Sequence, residues 1–379
     1  MSKIIVLGAG MVGSAMAIDL SLQHQVHLVD ISLESLNRAK KKCPALITEQ
    51  IDVCDIKLKE HISSFDLVIC AVPGFLGFNT VKTVIESGKN IVDISFFPEN
   101  AFDLDSVAKE KGVTAFVDCG VAPGMHNLIL GYYNEKFKIS DFECYVGGLP
   151  KIRKWPFFYK APFSPIDVIE EYTRSARYVE NGTIVTRDAL SDCEFLEFEK
   201  VGTLEAFNSD GLRSILHTMP HIKNMKEKTL RYPGHVEYVR VLKESGFFSK
   251  KKINVKGVEV SPLDVSCNVL FKDWKLGETE EEITVMRVIL KAENKHREKE
   301  KIIYNLYDEF DCETQTSSMA RTTGYTATGV ANMFLKGLFT GKGVFPPELI
   351  GKNEECFNFI MEYLKDRNIN YVKSSTISR

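Results

Sequence analysis

The apolar run Lys3–Leu7 (KIIVL) leads straight into Gly8-Ala9-Gly10-Met11-Val12-Gly13, and residues 11–22 then have helical periodicity. A strand, a glycine-rich turn and a helix in that order leave few folds open. Gly8 permits the tight turn, Gly10 lets a pyrophosphate reach the backbone, and Gly13 lets the helix pack closely on the strand. The helix N-terminus then faces the negative charge. QVHLVD, residues 25–30, is the next strand, and its terminal acid Asp30 lies 22 residues beyond Gly8 (30 − 8). That is close to the spacing of about 20 expected for a ribose-binding acid. A carboxylate there can accept from both ribose hydroxyls and repels a 2′-phosphate. The expected cofactor is therefore NAD rather than NADP. The alternative is a loop that binds no phosphate, with Asp30 as a cap.

Strand and helix keep alternating as far as residue 117. Helices are expected at 33–42, 78–86 and 101–111, with strands at 46–47, 66–71, 90–93 and 113–117. Such alternation implies βαβ units with right-handed crossovers. The expected fold class is α/β: a doubly wound (Rossmann) parallel sheet with helices on both faces. Cofactor contacts then fall on the glycine loop, Met11 and Val12 included, and on the carboxyl ends of the strands. Asp52 and Val53 follow the third strand, where adenine would be read; the same stretch would equally serve as a helix cap before 56–62. Ala71, Val72 and Pro73 end the fourth strand beside the nicotinamide ribose, and Asp93 ends the fifth.

Residues 118–127 (DCGVAPGMHN) put an acid, a thiol, two glycines, a proline and a histidine at the end of the sixth strand. The pattern then changes. Alternating runs at 142–146, 194–200, 283–292 and 301–310, with a turn at Asn294-Lys295-His296, read as an antiparallel sheet. Helices at 166–177 and 235–245 complete an inserted α+β domain. A late, small-residue-rich apolar helix at 324–339 and a breaker-rich loop at 341–347 follow. The expected domains are 1–122, 123–316, and a C-terminal segment 317–379 that packs back on the first.

Bulk properties exclude several classes. A net charge of −3 leaves no basic footprint for nucleic acid. Lys40–Lys42 and Lys250–Lys252 read as solvated faces. No apolar run approaches the roughly 20 residues of a membrane span. The nine cysteines show neither CxxC pairs nor Cys/His ligand spacing. They read as reduced thiols in the cytoplasm, with no metal site. His217 and His221, four apart, have no evident third ligand.

Seven stretches together, GAGMVG, VDCGVAPGMHNLILG, GGLP, SPIDVIEEYTRSARYVENG, EAFNSDGLRS, EKTLRYPGH and SSMARTTGYTATGVANMFLKG, run in order along nearly the whole chain. They resemble the saccharopine dehydrogenase superfamily, and within it the lysine 6-dehydrogenases. The resemblance implies a cleft between the cofactor and substrate domains. It also implies NAD-dependent oxidation of the ε-amine of L-lysine to 2-aminoadipate 6-semialdehyde and ammonia, the aldehyde cyclising to Δ1-piperideine-6-carboxylate. Saccharopine dehydrogenase, acting on the related secondary amine, is the rival. An NAD-binding protein without chemistry is the reading from a different class. A homo-oligomer, dimer or tetramer, is expected.

Amine oxidation needs a neutral amine, and hence a base. Asp118, His126 and Cys119 are the catalytic candidates. Their ordinary readings are a helix cap for Asp118 and His126 and a packed thiol for Cys119. Within the resemblance, Arg213 takes the place of a carboxylate-binding arginine, for which its planar fork is suited. Otherwise it would pair with Asp210 or Glu205. Gly148, Ser164 and Lys160 complete the expected substrate contacts. A second acidic arm, as in saccharopine, would require Arg231 or Lys160 as well.

Overall fold

The computed structural model describes residues 1–378. It divides into two compact units: residues 1–138 with 319–370, and residues 139–318 with the chain from Tyr371 on.

The first unit begins with strands β1 (Lys3–Leu7), β2 (Gln25–Asp30), β3 (Ile47–Gln50), β4 (Leu67–Cys70), β5 (Ile91–Asp93) and β6 (Thr114–Phe116). Between and after them lie α1 (Met11–Ser21), α2 (Leu33–Lys42), α3 (Leu58–Ile62), α4 (Gly74–Glu86), a 3-10 turn (Ala101–Leu104) running into α5 (Asp105–Glu110), and α6 (Met125–Asn134). The central strands are apolar throughout because helices cover both faces of a parallel sheet; all four residues of β4 are buried. At the margin, α2 is amphipathic. Ser32 caps it by accepting the Ser35 N–H at 3.2 Å, and Lys40–Lys42 stand exposed in its last turn, where positive charge suits the helix dipole.

The second unit contains β7 (Lys138–Pro150), α7 (Pro165–Thr173), β8 (Ala176–Glu180), β9 (Thr183–Arg187), β10 (Glu194–Phe198), β11 (Gly202–Asn208), α8 (Ile215–Thr218), β12 (Asn224–Arg231) and α9 (His235–Glu244). After them come β13 (Ile253–Val255), β14 (Val258–Val260), α10 (Pro262–Trp274), β15 (Glu282–Glu293) and β16 (Lys299–Glu309). The last stretch holds α11 (Ser318–Leu335), β17 (Gly343–Phe345), α12 (Pro347–Gly351), α13 (Glu354–Lys365) and β18 (Tyr371–Ser378).

The first unit's sheet has the order β17-β6-β5-β4-β1-β2-β3, all parallel. This is the doubly wound order, with β4 placed beside β1. Its seventh strand, β17, lies where a loop was expected at 341–347. Gly343–Phe345 pairs with Thr114–Phe116, and the Asp105 carboxylate accepts the Val344 N–H at 3.0 Å.

The expected boundary at 122 moves to 138 because α6 is locked into the first unit. A Cβ on Gly131 would stand 2.1 Å from Glu348 O, and one on Gly351 would stand 2.2 Å from Leu128 O. Only two glycines let α6 and α12 approach that closely. The expected C-terminal segment 317–379 also divides. Residues 319–370 belong to the first unit, whereas β18 pairs antiparallel with β16 in the second.

In the second unit the large sheet has the path β10-β11-β12-β7-β15-β16-β18, with β8 and β9 attached at β12. It is mixed rather than wholly antiparallel, since β12 runs parallel to β7. The β15–β16 hairpin forms, with Glu293 opposite Lys299 and the Asn294 side chain accepting the His296 and Glu298 N–H groups. The expected helix at 166–177 stops at Thr173, and the chain turns into β8. Two cores flank the sheet, one around Tyr159, Tyr172, Phe207 and Trp274, the other around Tyr145, Leu149, Leu230 and Val285. His217 and His221 share no helix, since α8 ends at Thr218, and both are exposed. Among the described residues no helix is long and apolar enough to cross a membrane.

Candidate cofactor and active site

Three glycines divide the work of the first loop. Gly8 has φ +106, and a Cβ there would lie 2.5 Å from Ala71 O. A Cβ on Gly13 would lie 2.0 Å from Gly8 O. Both positions are closed by the protein's own backbone. At Gly10 nothing stands within 4 Å of a Cβ. The open side of the turn is thus the side from which a ligand can reach the backbone. Gly10 is also the N-cap of α1, and no side chain caps that end. Uncapped N–H groups at the start of an eleven-residue helix suit a phosphate. These residues fit a dinucleotide.

Asp30 closes β2 beside this loop. Its Oδ2 accepts the Ala9 N–H at 2.6 Å and its Oδ1 accepts the Ser32 N–H at 2.7 Å. The carboxylate is therefore fixed against the loop. Asp52 does not cap α3, which begins at Leu58; it is exposed and accepts the Cys54 N–H at 2.8 Å in a side-chain turn. Val53 is half-buried, packed against the core under β4 and α4. Ala71, Val72 and Pro73 follow β4, and Ala71 adjoins Gly8 and Gly13 as noted. Met11 is 37% exposed and Val12 is half-buried. Phe75, one residue into α4, is 70% exposed, a large apolar side chain in water at the carboxyl edge of the sheet. The sequence reading missed it; an aromatic residue just after Pro73-Gly74 was the available signal.

Acidic groups gather where β5 and β6 end. Asp93 is fully buried and accepts the Ser95 hydroxyl at 2.6 Å. Burial pushes its carboxyl up to about 7; hydrogen bonds from Ser95 and the Cys70 thiol oppose the shift, and the Asp118 charge adds to it. Ser95 was also missed. It is held from the other side by α4, where a Cβ on Gly77 would stand 2.2 Å from Ser95 Oγ. Asp118 is 3% exposed and takes a left-handed backbone, φ 57. A non-glycine residue held there costs about 1–3 kcal/mol and recurs at functional sites. Cys119 is buried, and its N–H donates to Asp93 O at 3.0 Å. Burial pushes its thiol well above the usual range, with Asp93, Asp118 and Glu348 adding to the shift. Burial and the neighbouring acids thus favour the protonated thiol, in line with the packed-thiol reading of Cys119. His126 is fully buried in the first turn of α6.

In the second unit, Arg213 is 8% exposed and also left-handed, φ 45. Asp210 takes Arg177 in a two-pronged contact at 3.0 and 2.9 Å, and Glu205 accepts the Gly234 N–H at 3.2 Å. Gly148 is buried within β7, which continues through GGLP instead of ending before it. Its neighbour Gly147 is required because a Cβ there would lie 2.6 Å from Leu230 O. Ser164 precedes α7 without a side-chain cap bond. Lys160 pairs with Glu280 at 3.4 Å. Arg231 is 2% exposed and saturated: it donates to Glu171 at 2.8 Å, Tyr172 at 3.1 Å, Tyr159 at 3.4 Å and Leu230 O at 2.9 Å.

A doubly wound sheet with an open glycine turn and an acid fixed beside it defines a nucleotide-binding domain, the kind carried by dehydrogenases. Model sequences of the saccharopine dehydrogenase NADP binding domain match residues 4–116, and those of the saccharopine dehydrogenase C-terminal domain match residues 120–369. The chain belongs to the saccharopine dehydrogenase family. It is 22% identical to the mitochondrial alpha-aminoadipic semialdehyde synthase of Bos taurus, over 99% of this chain and 48% of that protein. It thus spans about half that relative's length. It is 23% identical to the carboxyaminopropylagmatine dehydrogenase of Synechocystis sp., over 92% of each chain. The structure of the apo saccharopine dehydrogenase (L-Glu forming) of Saccharomyces cerevisiae superposes with a TM-score of 0.79. It covers 99% of this chain and all of that one at 21% identity, which shows the fold.

Proposed function

We propose that the chain is an NAD-dependent amine dehydrogenase that oxidises the ε-amine of L-lysine, releasing 2-aminoadipate 6-semialdehyde and ammonia. Asp30 carries the cofactor half of this reading. A carboxylate fixed at the end of β2 accepts from ribose hydroxyls and repels a 2′-phosphate. The matched domain's name and several relatives' names specify NADP, and Asp30 is the reason to depart from them here.

The choice of substrate rests on the cations of the second unit. Saccharopine brings an additional acidic arm, which needs an additional cation. Arg231 is saturated by Glu171, two tyrosines and a carbonyl, and Lys160 pairs with Glu280. With Arg231 and Lys160 both engaged by protein groups, neither stands ready for the second acidic arm of saccharopine.

In this reading Arg213 binds the α-carboxylate through its fork. Bound NAD supplies the hydride acceptor. Asp118 takes a proton from the ε-ammonium so that the neutral amine can expel its hydride, and His126 assists water attack on the imine. Burial raises the Asp93 carboxyl to about 7, so at that pH only part of its negative charge stands near Asp118. Substituting Asp118→Asn then lowers kcat by about 10²–10⁴-fold. Lysine labelled with ¹⁵N at the ε position tests the reaction class. The proposal expects labelled ammonia in step with reduced cofactor and without any oxo acid; release of label only from a saccharopine-derived amine moves the chain to saccharopine oxidation.

A further inference from the structure

The strand β4 ends at Cys70, and α4 begins at Gly74. The first turns of α4 are firmly seated. Leu76 and Phe78 pack on the core, the Phe78 ring edge-on to Phe97 at 5.7 Å. Gly77 closes on Ser95, where a Cβ would meet the hydroxyl at 2.2 Å. Phe75 is left facing out, 70% exposed. It is the only exposed aromatic side chain of the first unit among the described residues. Helix geometry says where its ring leans. Side chains tilt toward a helix's N-terminus, so a first-turn residue covers the space beyond the helix start. For α4 that space is the carboxyl edge of the parallel sheet.

Topology identifies the occupant. The strand order runs outward in opposite directions from β1 and β4, and ligands of such sheets bind in the crevice at that switch. The end of β4 abuts the glycine turn there, since a Cβ on Gly8 would lie 2.5 Å from Ala71 O. Asp30 stands on the β2 side of the turn, and Phe75 stands on the β4 side. A dinucleotide with its pyrophosphate at Gly10 and its adenosine ribose at Asp30 therefore extends its nicotinamide toward Phe75. The oxidised nicotinamide ring is a cation and the reduced ring is neutral. The face of a phenyl ring attracts a cation. We infer that Phe75 packs against the nicotinamide of the bound cofactor and holds the oxidised form more tightly than the reduced form. The inference rests on the dinucleotide reading of the glycine turn and is independent of the amine substrate.

Calorimetric titration of the full chain with NAD+, NADH and ADP-ribose tests this. Phe75→Leu keeps an apolar side chain and removes the ring. It should weaken NAD+ by about 2- to 5-fold, weaken NADH less, and leave ADP-ribose, which lacks the nicotinamide, unchanged. The melting temperature should hold, because Phe75 is exposed. Asn79→Ala, one turn further along the exposed side of α4, should change none of the three affinities. Phe75→Trp places an electron-rich indole at the same point. NAD+ should then produce a charge-transfer absorbance that ADP-ribose does not, and that the wild type lacks. Equal losses for NAD+ and NADH in Phe75→Leu, or a like loss for ADP-ribose, overturn the inference. So does a Phe75→Trp variant that binds NAD+ without the new absorbance. The titrations are repeated with NADP+, NADPH and the 2′-phosphate of ADP-ribose. A chain that takes only these fails the reading of Asp30, and the Phe75 comparison is then decided on them by the same criteria. A chain that binds neither dinucleotide overturns both.

Discussion

The Asp30 carboxylate accepts the Ala9 N–H at 2.6 Å, tying the end of β2 to the glycine turn after β1. The same side chain thereby shapes the turn and, in the proposed reading, takes the ribose hydroxyls. Replacing it should affect both. Asp30→Ser combined with Ile31→Arg, at a 65% exposed neighbour, should move the NAD-to-NADP preference toward NADP by about 10- to 100-fold. Titration of both cofactors by fluorescence checks this; a wild type that already favours NADP contradicts the role given to Asp30.

Gly10 and Gly13 should fail differently when changed to alanine. At Gly13 the new methyl meets Gly8 O, so the turn must shift and stability should fall by about 1–3 kcal/mol. At Gly10 the methyl meets open space, so melting should hold while cofactor affinity drops. Thermal melts and cofactor titrations on the two variants separate the outcomes, and equal destabilisation of both would remove Gly10 as the approach to the pyrophosphate.

Asp93 gives a pH signature with a defined sign. Its carboxyl is raised from an ordinary carboxylate value to about 7, so the folded state holds the proton more tightly than the unfolded chain. The associated stability is present below about pH 4 and is lost as pH rises through 7. Asp93→Asn keeps the acceptor for Ser95 and removes the titration. The variant's stability relative to wild type should rise by a few kcal/mol between pH 4 and 7 and level off above. Denaturant unfolding across that range measures it; a difference independent of pH would mean Asp93 titrates normally.

Asp19 joins α1 to the C-terminal helices. It accepts from Tyr363 at 2.6 Å, Thr328 at 2.5 Å and Arg367 at 2.8 Å. Asp19→Ala leaves the Arg367 guanidinium, 17% exposed at its side chain, without its anion. A loss of about 3 kcal/mol is expected, at the low end for a broken buried pair because some water reaches the arginine. Chemical denaturation reads this; a loss under about 1 kcal/mol would mean that packing alone holds α11 and α13 to α1.

How much of this was legible in the sequence differs by element. The glycine turn, Asp30 and the strand alternation were readable because each function demands a residue type at a fixed offset. The strand β17 was not: three residues of a buried parallel strand show no alternation, and the glycines around it read as a loop. GGLP likewise suggested a strand end, yet Gly147 continues β7 because Leu230 fills the space its side chain would take. The parallel pairing of β7 with β12 leaves no local trace. Asp118 was singled out by its chemistry and Arg213 mostly by resemblance, while the feature they share, a buried left-handed backbone, is set by tertiary context and is invisible in one sequence. Phe75 and Ser95 carried no pattern strong enough to stand out.

The central claim is NAD-dependent oxidation of lysine. Initial rates of reduced-cofactor absorbance at mildly alkaline pH, with lysine or saccharopine each paired with NAD or NADP, test it in one experiment. The account predicts turnover with lysine and NAD, at least tenfold slower reaction with NADP, and little with saccharopine. Turnover confined to saccharopine and NADP would contradict both the Asp30 and the Arg213 assignments.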